Sequence, residues 1–322
     1  MSDFRTPRPR GDTLYLEGVP YQLIGDAVIV GDVITYKAST QCSEPWVDLL
    51  IKEFFPYTIN ETVSRKENGT LDFTLFNNQH LEQKRNLFLK CHRIEKERID
   101  RLPSSNGAKI SCIKAYGTYY TVRRLSYAIT LQSLLAQNPK GFSMENTMPL
   151  ILKLLDFLEC IHNEQLLHLQ IHPSQIYLMA GKELTLDCMN LWRKGDTGLL
   201  RTLSVDLDYT APEIRLQNWE EISPATDLYS VAALIYHLLY GNTPRKNYFS
   251  LIEPCEIQGM PNQIRAFFRK GLHILPRKRF STVTEFRSAL LALEPLSEKT
   301  IGTSNHFIET PGLYNEIARC AL

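Results

Sequence analysis

The chain has 322 residues, 43% of them hydrophobic, enough for one or two ordinary cores and with no low-complexity block of the disordered kind. Lysine and arginine number 36 against 35 aspartates and glutamates, so no broad electrostatic field is offered to nucleic acid or to an anionic membrane. No apolar run reaches the roughly 20 residues of a membrane helix, and the start, MSDFRTPRPRGD, has no apolar signal core, so a cytoplasmic protein without a membrane span is expected. The seven cysteines are scattered without a C-x-x-C pair, which argues against a disulfide framework or a zinc site.

From about Thr13 to Tyr57 the apolar residues alternate in strand fashion, rich in Val, Ile and Tyr and interrupted at Gly18, Gly25 and Gly31, which predicts an antiparallel sheet. A polar stretch around 60–70 leads into Gln79–Leu102, dense in Leu, Glu, Lys and Arg, which predicts one long helix stopped by Pro103. Two more strand-like runs, KISCIKAY and TYYTVRRL, meet at Gly117. Met148–His162 is too apolar all round for a surface helix and is predicted to be central. Two short strands, QIYLM and ELTLD, follow, then a loop from about Asn190 to Asp208. Pro224–Tyr240 is a further apolar helix, with Ser223 as N-cap, Pro224 at its first position and Gly241 as its stop. Helices around Pro261–Gly271 and Thr282–Leu293 close the pattern. The class is α+β: a small antiparallel sheet lobe with one long helix, then a larger, mostly helical lobe, an order that makes a cleft.

The order of short motifs along these elements resembles the protein kinases, specifically the bacterial serine/threonine type. LLIKEFFP (49–56) is similar to the strand that carries the nucleotide lysine. FLECIHNEQLLHLQIHPSQIYL (157–178) resembles the central helix and catalytic loop, and LTLDCM (184–189) the metal-binding segment. YTAPEIRLQNWEEISPATDLYSVAALIYHLLYGNTP (209–244) resembles the Ala-Pro-Glu motif with its following helix, and LPRKRFS (275–281) the arginine-bearing motif near the end. The resemblance implies a two-lobed kinase-like domain over 15–294, with an N-lobe of about 15–124 and a C-lobe of about 125–294. A flexible arm (1–14) precedes it and a tail (295–322) follows.

Carried over residue by residue, the resemblance puts Lys52 on the lysine that pairs the α and β phosphates, His168 on the first residue of His-Arg-Asp and Asp187 on the metal-binding aspartate. Glu213 and Arg279 fall on a buried ion pair, and Asp227 on the residue that anchors the catalytic loop; these three are structural. The departures lie where chemistry happens. Gln170 stands at the catalytic base and, as an amide, accepts no proton at neutral pH. Gln175 replaces the asparagine metal ligand, and Mg²⁺ demands near-ideal octahedral geometry. Cys188 and Met189 replace the Phe-Gly that follows the metal-binding aspartate. Leu50 stands where a small alanine packs on adenine, adding volume toward the ring. Of the glycine-rich loop only Gly25 and Gly31 are present, beside Asp26 and Asp32, a poor cradle for phosphate.

The long-helix glutamate that pairs with Lys52 is assigned to Glu95, although one register puts Cys91 there. Arg123 falls near the gatekeeper position, either as a charge beside adenine or, by a small register shift, pointing to solvent. His172 occupies the place of the catalytic-loop lysine and Asp206 that of its threonine partner, so a His172–Asp206 bond tying the two segments is expected; the alternative is that His172 faces solvent and Asp206 caps a turn. The leading expectation is a pseudokinase that works by binding a protein partner, another kinase or a signalling effector, without nucleic acid. The alternatives are an atypical active serine/threonine kinase, or a sensor that binds ATP and Mg²⁺ weakly without turnover.

Overall fold

The computed structural model describes residues 5–40, 47–57, 63–100, 109–124, 129–179, 183–187, 191–193, 208–244 and 260–293. They fall into two compact units: one holds residues 1–128 with 187–191 and 198–203, the other 129–186, 192–197 and the rest of the chain. Cys188, Met189 and Asp206, the end of the long helix at Leu102–Pro103 and the tail from 295 lie outside the described residues.

The first unit is built on an antiparallel sheet in the order β1 (Thr13–Leu16), β2 (Val19–Leu23), β4 (Val33–Thr40), β5 (Val47–Phe54), β9 (Thr118–Arg124), β8 (Ile110–Ala115), with β3 (Val28–Val30) hairpinned onto β4. Register decides what each face carries. Lys52 is paired with Thr35 on one side and Thr121 on the other, and Leu50 with Lys37 and Arg123. Directly opposed residues share a face, so Leu50, Lys52, Thr121 and Arg123 all project to one side. Across this side runs α1 (Asn78–Asp100), a helix of 23 residues, seated by Phe88 against Phe54 at 5.4 Å between ring centroids.

The opposite face shows Tyr36, Ile51, Glu53, Tyr120 and Val122. It is covered by the small hairpin of β6 (Ser64–Arg65) and β7 (Leu71–Asp72), in the stretch whose sequence reads only as polar, and by the N-terminal arm. Within that arm Arg5 and Arg8 are both held against the sheet. Arg5 is buried and donates to the carbonyls of Gly31 and Phe55, both at 2.7 Å, and the Arg8 N–H donates to the Tyr36 hydroxyl. The two charge-assisted bonds to carbonyl oxygens offset the desolvation of the buried Arg5 guanidinium.

The second unit is organised around α3 (Met144–Asn163), capped by Ser143; it buries a broad apolar face that includes Leu150, Ile151, Leu154, Leu155, Leu158 and Ile161, while Asp156 and Glu159 on its other side stay partly exposed, so the helix is less enclosed than its sequence predicts. A short α2 (Leu131–Gln137), capped by Thr130, precedes it. Strands β10 (Ile129–Thr130), β12 (Ile176–Met179) and β13 (Glu183–Leu186) form a small sheet, and β11 (Leu166–Leu167) pairs with β14 (Trp192–Arg193). After α4 (Pro212–Arg215) comes α5 (Pro224–Tyr240), opened by a reciprocal capping box of Ser223 and Thr226 and closed by Gly241 at φ +67°. A Cβ at Gly241 would collide with the Pro139 carbonyl oxygen, so both conformation and packing call for glycine. α6 (Asn262–Gly271) and α7 (Val283–Leu291) complete the unit around an aromatic cluster in which Phe267 touches Phe268, Phe280 and Phe286. No described helix is long and apolar enough to cross a membrane.

Candidate functional site

In the first unit the charges of the sheet face that lies under α1 are paired in an order the sequence does not predict. Arg123 is 2% exposed and donates from Nη1 to Glu95 Oε1 at 2.5 Å, with Glu95 itself 1% exposed. Lys52, 2% exposed, donates instead to Asp187 Oδ1. Two expectations are corrected here. Glu95 belongs to Arg123 and not to Lys52, and Arg123 does not point to solvent. The physical reason is geometric: Arg123 stands opposite Leu50 on the same face as Lys52, and its longer planar guanidinium reaches the helix carboxylate from the neighbouring strand. Breaking such a buried pair by removing one partner costs about 3–5 kcal/mol, because the other charge is stranded in low dielectric.

Cys91 sits one helical turn before Glu95, wholly buried. Burial pushes its thiol up to about 12, with Glu95 and Asp187 adding to the rise and a Leu191 N–H and Lys52 opposing it. The thiol is therefore inert. Its surroundings show that Lys52, Asp187 and Glu95 share one neighbourhood around a single side chain.

The turn between β3 and β4, where the resemblance implies the phosphate-cradling loop, is a two-residue turn of Gly31 and Asp32, with Gly31 at φ +55°. Its carbonyls and its carboxylate are already engaged. The Gly31 carbonyl accepts from Arg5, the Asp32 carbonyl from the Phe55 N–H at 2.8 Å, and Asp32 Oδ1 from the Tyr57 N–H at 3.1 Å. Lys84 of α1 reaches both Asp32 carboxylate oxygens at 2.9 Å. Gly25 is not at positive φ, and a Cβ there would make only ordinary contact with Lys37. Leu50 is 5% exposed beside Arg123.

In the second unit the catalytic-loop segment is held by its backbone. Asp227, wholly buried, accepts the N–H groups of His168 at 2.9 Å and Leu169 at 2.7 Å, and His162 Nε2 lies 2.9 Å from it. Burial alone pushes the Asp227 carboxyl up, but the His162 hydrogen bond and charge, with His168, outweigh it and leave the group below its ordinary value. Gln170 is 8% exposed; its N–H donates to His168 Nδ1 at 3.3 Å, and its Oε1 has no donor among the described residues. Gln175 ends a 3₁₀ turn, Pro173–Gln175.

His172 opens that turn. Its Nδ1 accepts from the Ser174 N–H at 3.1 Å and lies 2.7 Å from the Ser174 hydroxyl, while its ring stands edge-on to Tyr209 with centroids 5.0 Å apart. The ring is thus a cap packed against an aromatic side chain; the expected bond to Asp206 falls outside the described residues. Tyr209 in turn lies 2.5 Å from His237 Nδ1 through its hydroxyl. Glu213 and Arg279 are brought together as a buried two-pronged pair at 2.8 and 2.7 Å.

A kinase fold implies Mg²⁺ with an adenine nucleotide, and the donor chemistry is a poor fit for it. Of the two positions that the resemblance assigns to the metal, Asp187 is a carboxylate already holding an ammonium and Gln175 is a neutral amide, while the acid at the hairpin turn is a like charge for phosphate. No group of three or more metal-ligating side chains exists among the described residues.

The lobes, their strand order and these motifs define the protein kinase fold. The chain superposes on the apo form of PpkA-294 with a TM-score of 0.56 and 20% identity, covering 88% of this chain and 99% of that one. It superposes on the PknI kinase domain of Mycobacterium tuberculosis with a TM-score of 0.52 and 15% identity, covering 89% and 99%. In sequence, 114 residues are 29% identical to ribosomal protein S6 kinase alpha-6 of Mus musculus, covering 34% of this chain and 15% of that protein. A stretch of 116 residues is 22% identical to the serine/threonine-protein kinase MPS1 of Encephalitozoon cuniculi, covering 35% of this chain and 20% of the other. The matched stretches thus span a fifth or less of those curated relatives. No family profile matches the chain.

Proposed function

We propose that this chain is a pseudokinase: a protein kinase fold kept as a protein-binding or allosteric signalling module, without phosphoryl transfer. The observation that carries the reading is the exchanged pairing, in which Arg123 takes Glu95 while Lys52 is neutralised by Asp187. Phosphoryl transfer depends on positioning and on neutralising the charge of phosphates and metal; here the lysine and the aspartate are spent on each other. Gln170 adds the loss of a base, which by itself removes only about a hundred- to ten-thousand-fold. The partner would be a protein, another kinase or a signalling effector, met in the cytoplasm.

Incubation of the wild-type chain with γ-labelled ATP, Mg²⁺ and a peptide pool, beside a Lys52→Ala control, tests this. No transfer above the control is expected; Lys52-dependent labelling overturns it. Thermal shift with ATP and Mg²⁺ separates the sensor reading, since a ligand at a hundred times its Kd stabilises by about 2.7 kcal/mol.

A further inference from the structure

In the first unit, residues 5–12 lie in a seat shaped for two arginines. The Arg5 guanidinium meets the carbonyls of Gly31 and Phe55 and stands over the Tyr57 ring, 5.3 Å from its centroid. Three residues on, the Arg8 guanidinium lies over the Tyr116 ring, 4.7 Å from its centroid, and against Gly69, where any Cβ would collide with it. The backbone between them is gripped too. Arg65 Nε donates to the Thr6 carbonyl at 3.1 Å, and the Tyr36 hydroxyl accepts the Arg8 N–H at 3.2 Å. Pro7 and Pro9 bias the residues before them, Thr6 and Arg8, toward extended backbone. The fit is incomplete at one point. The Arg8 side chain is only 10% exposed, yet Nε and Nη2, its forked edge, are buried without an acceptor among the described residues; Nη1 alone is bonded, to Asp12 at 3.1 Å. A buried donor edge left unmet opposes the seating of the arm. The arm joins the backbone ladder of the sheet at Gly11 and Asp12, both bonded to Leu23, beyond the two arginines.

We propose that this seat is a recognition groove for an extended arginine peptide of a partner protein, Arg-x-Pro-Arg in pattern, and that the arm is the tethered occupant which the partner displaces. The proposal rests on the protein-binding reading for its purpose, and names the surface and the chemistry the partner must bring. Every receiving group belongs to the sheet, its turns or the β6–β7 hairpin, so the seat outlasts the departure of the arm. Arginine is required at both ends by shape: a lysine ammonium has no planar face to lay on Tyr57 or Tyr116. The two guanidiniums must stand three residues apart on an extended backbone, a span of about 9 Å. A short tether gives the arm a local concentration on the order of millimolar, which keeps the groove filled in the isolated chain. A partner segment that also brings an acceptor to the forked edge of its second arginine gains what the arm forgoes at Arg8.

Fluorescence anisotropy of a dye-labelled peptide, RTPRPRGD (residues 5–12) with capped termini, tests this against the full-length chain at moderate salt, where charge alone is screened. Two proteins are titrated: the wild type, and a full-length Arg5→Ala, Arg8→Ala variant whose own arm no longer competes. The variant is expected to bind the peptide at least tenfold more tightly than the wild type. A peptide carrying Arg5→Lys and Arg8→Lys is expected to bind the variant at least tenfold more weakly than the native peptide. Adding Tyr116→Leu to the variant, which removes the ring under the second guanidinium, is expected to weaken binding and so places the peptide in this groove. Equal affinity for the two proteins overturns the proposal, as does absence of binding to the variant. Equal binding of the lysine peptide shows attraction by charge alone and overturns it as well. Should the double variant fail to fold, the single variants Arg5→Ala and Arg8→Ala carry the same titration; failure of both makes the arm an indispensable part of the core, not a displaceable occupant, and overturns the proposal. Phosphoryl transfer by the wild-type protein would refute the preceding reading while leaving the outcome of this titration unchanged.

Discussion

Leu169 donates its backbone N–H to Asp227 at 2.7 Å while its own backbone is held at φ +59°, a conformation that a leucine adopts only under constraint. The bond to Asp227 supplies the constraint. Removing the carboxylate in Asp227→Ala orphans the N–H groups of both Leu169 and His168 in a buried site, and a loss of roughly 3–5 kcal/mol is expected in chemical denaturation. Asp227→Asn keeps one acceptor and should lose less. Because the folded carboxyl lies below its ordinary value of 3.8, the stability it contributes is fully present above that pH and is lost as pH falls below it. The Asp227→Asn protein is therefore expected to show a flatter stability profile on the acid side.

A second buried carboxylate lies on the other face of the first unit. Glu53 is wholly buried and accepts from Arg65 at 2.6 and 2.9 Å, from Tyr36 at 2.7 Å and from Tyr120 at 2.5 Å. Burial, followed by the Glu53 charge, raises both phenols above their ordinary range, so they remain donors at any physiological pH. Arg65→Ala strands the charge and should cost about 3–5 kcal/mol, whereas Arg65→Met together with Glu53→Met should cost far less. Equal losses in the two would contradict this account.

At the surface of the second unit, Glu285 is held down to about 2 by Lys270 first and then by the Ser281 N–H. Its contribution is present above about 4.5 and is lost as pH falls toward 2. Glu285 and Lys270 are both more than a third exposed, so the effect is screened. Glu285→Gln should remove part of the acid sensitivity in low salt and almost none in 1 M salt.

Restoring the missing acid tests whether chemistry or positioning is the deeper deficit. Gln170→Asp alone is expected to give no phosphoryl transfer, because Lys52 and Asp187 still hold each other and Glu95 still belongs to Arg123. Labelling by that single variant, abolished by Lys52→Ala, would reverse the ranking.

Much of the scaffold is legible in the sequence because local signals agree. Ser223, Pro224 and Gly241 bracket α5 as capping and stop chemistry demand, and the strand runs on either side of Gly117 become β8 and β9. What was not legible depends on pairing between distant elements. Glu95 reads as a partner of Lys52 until the β5–β9 register places Arg123 beside it. Arg65 lies in a stretch whose polarity reads as loop, twelve residues after Glu53 in a strand, yet they meet because β6 folds back over the sheet. A buried charge announces itself in a sequence only when its counter-ion is known.

The hairpin turn at Gly31–Asp32 gives the last prediction. Two backbone donors, Phe55 and Tyr57, and the Lys84 ammonium converge on Asp32, while Arg5 holds the Gly31 carbonyl, so the turn is fixed to the end of β5 and to α1. A loop that closes over phosphate must move; this one is pinned through its carbonyls and an acid, and the acid repels a phosphate. Lys84→Ala leaves the partly buried Asp32 carboxylate with only the Tyr57 N–H, at an expected cost of about 1–2 kcal/mol. The loss should be local. Hydrogen exchange at the amides of Phe55 and Tyr57 is expected to accelerate about tenfold, the equivalent of about 1.4 kcal/mol, with little change in α3 or α5. Uniform acceleration across both units would show that Lys84 supports global folding and does not pin the turn.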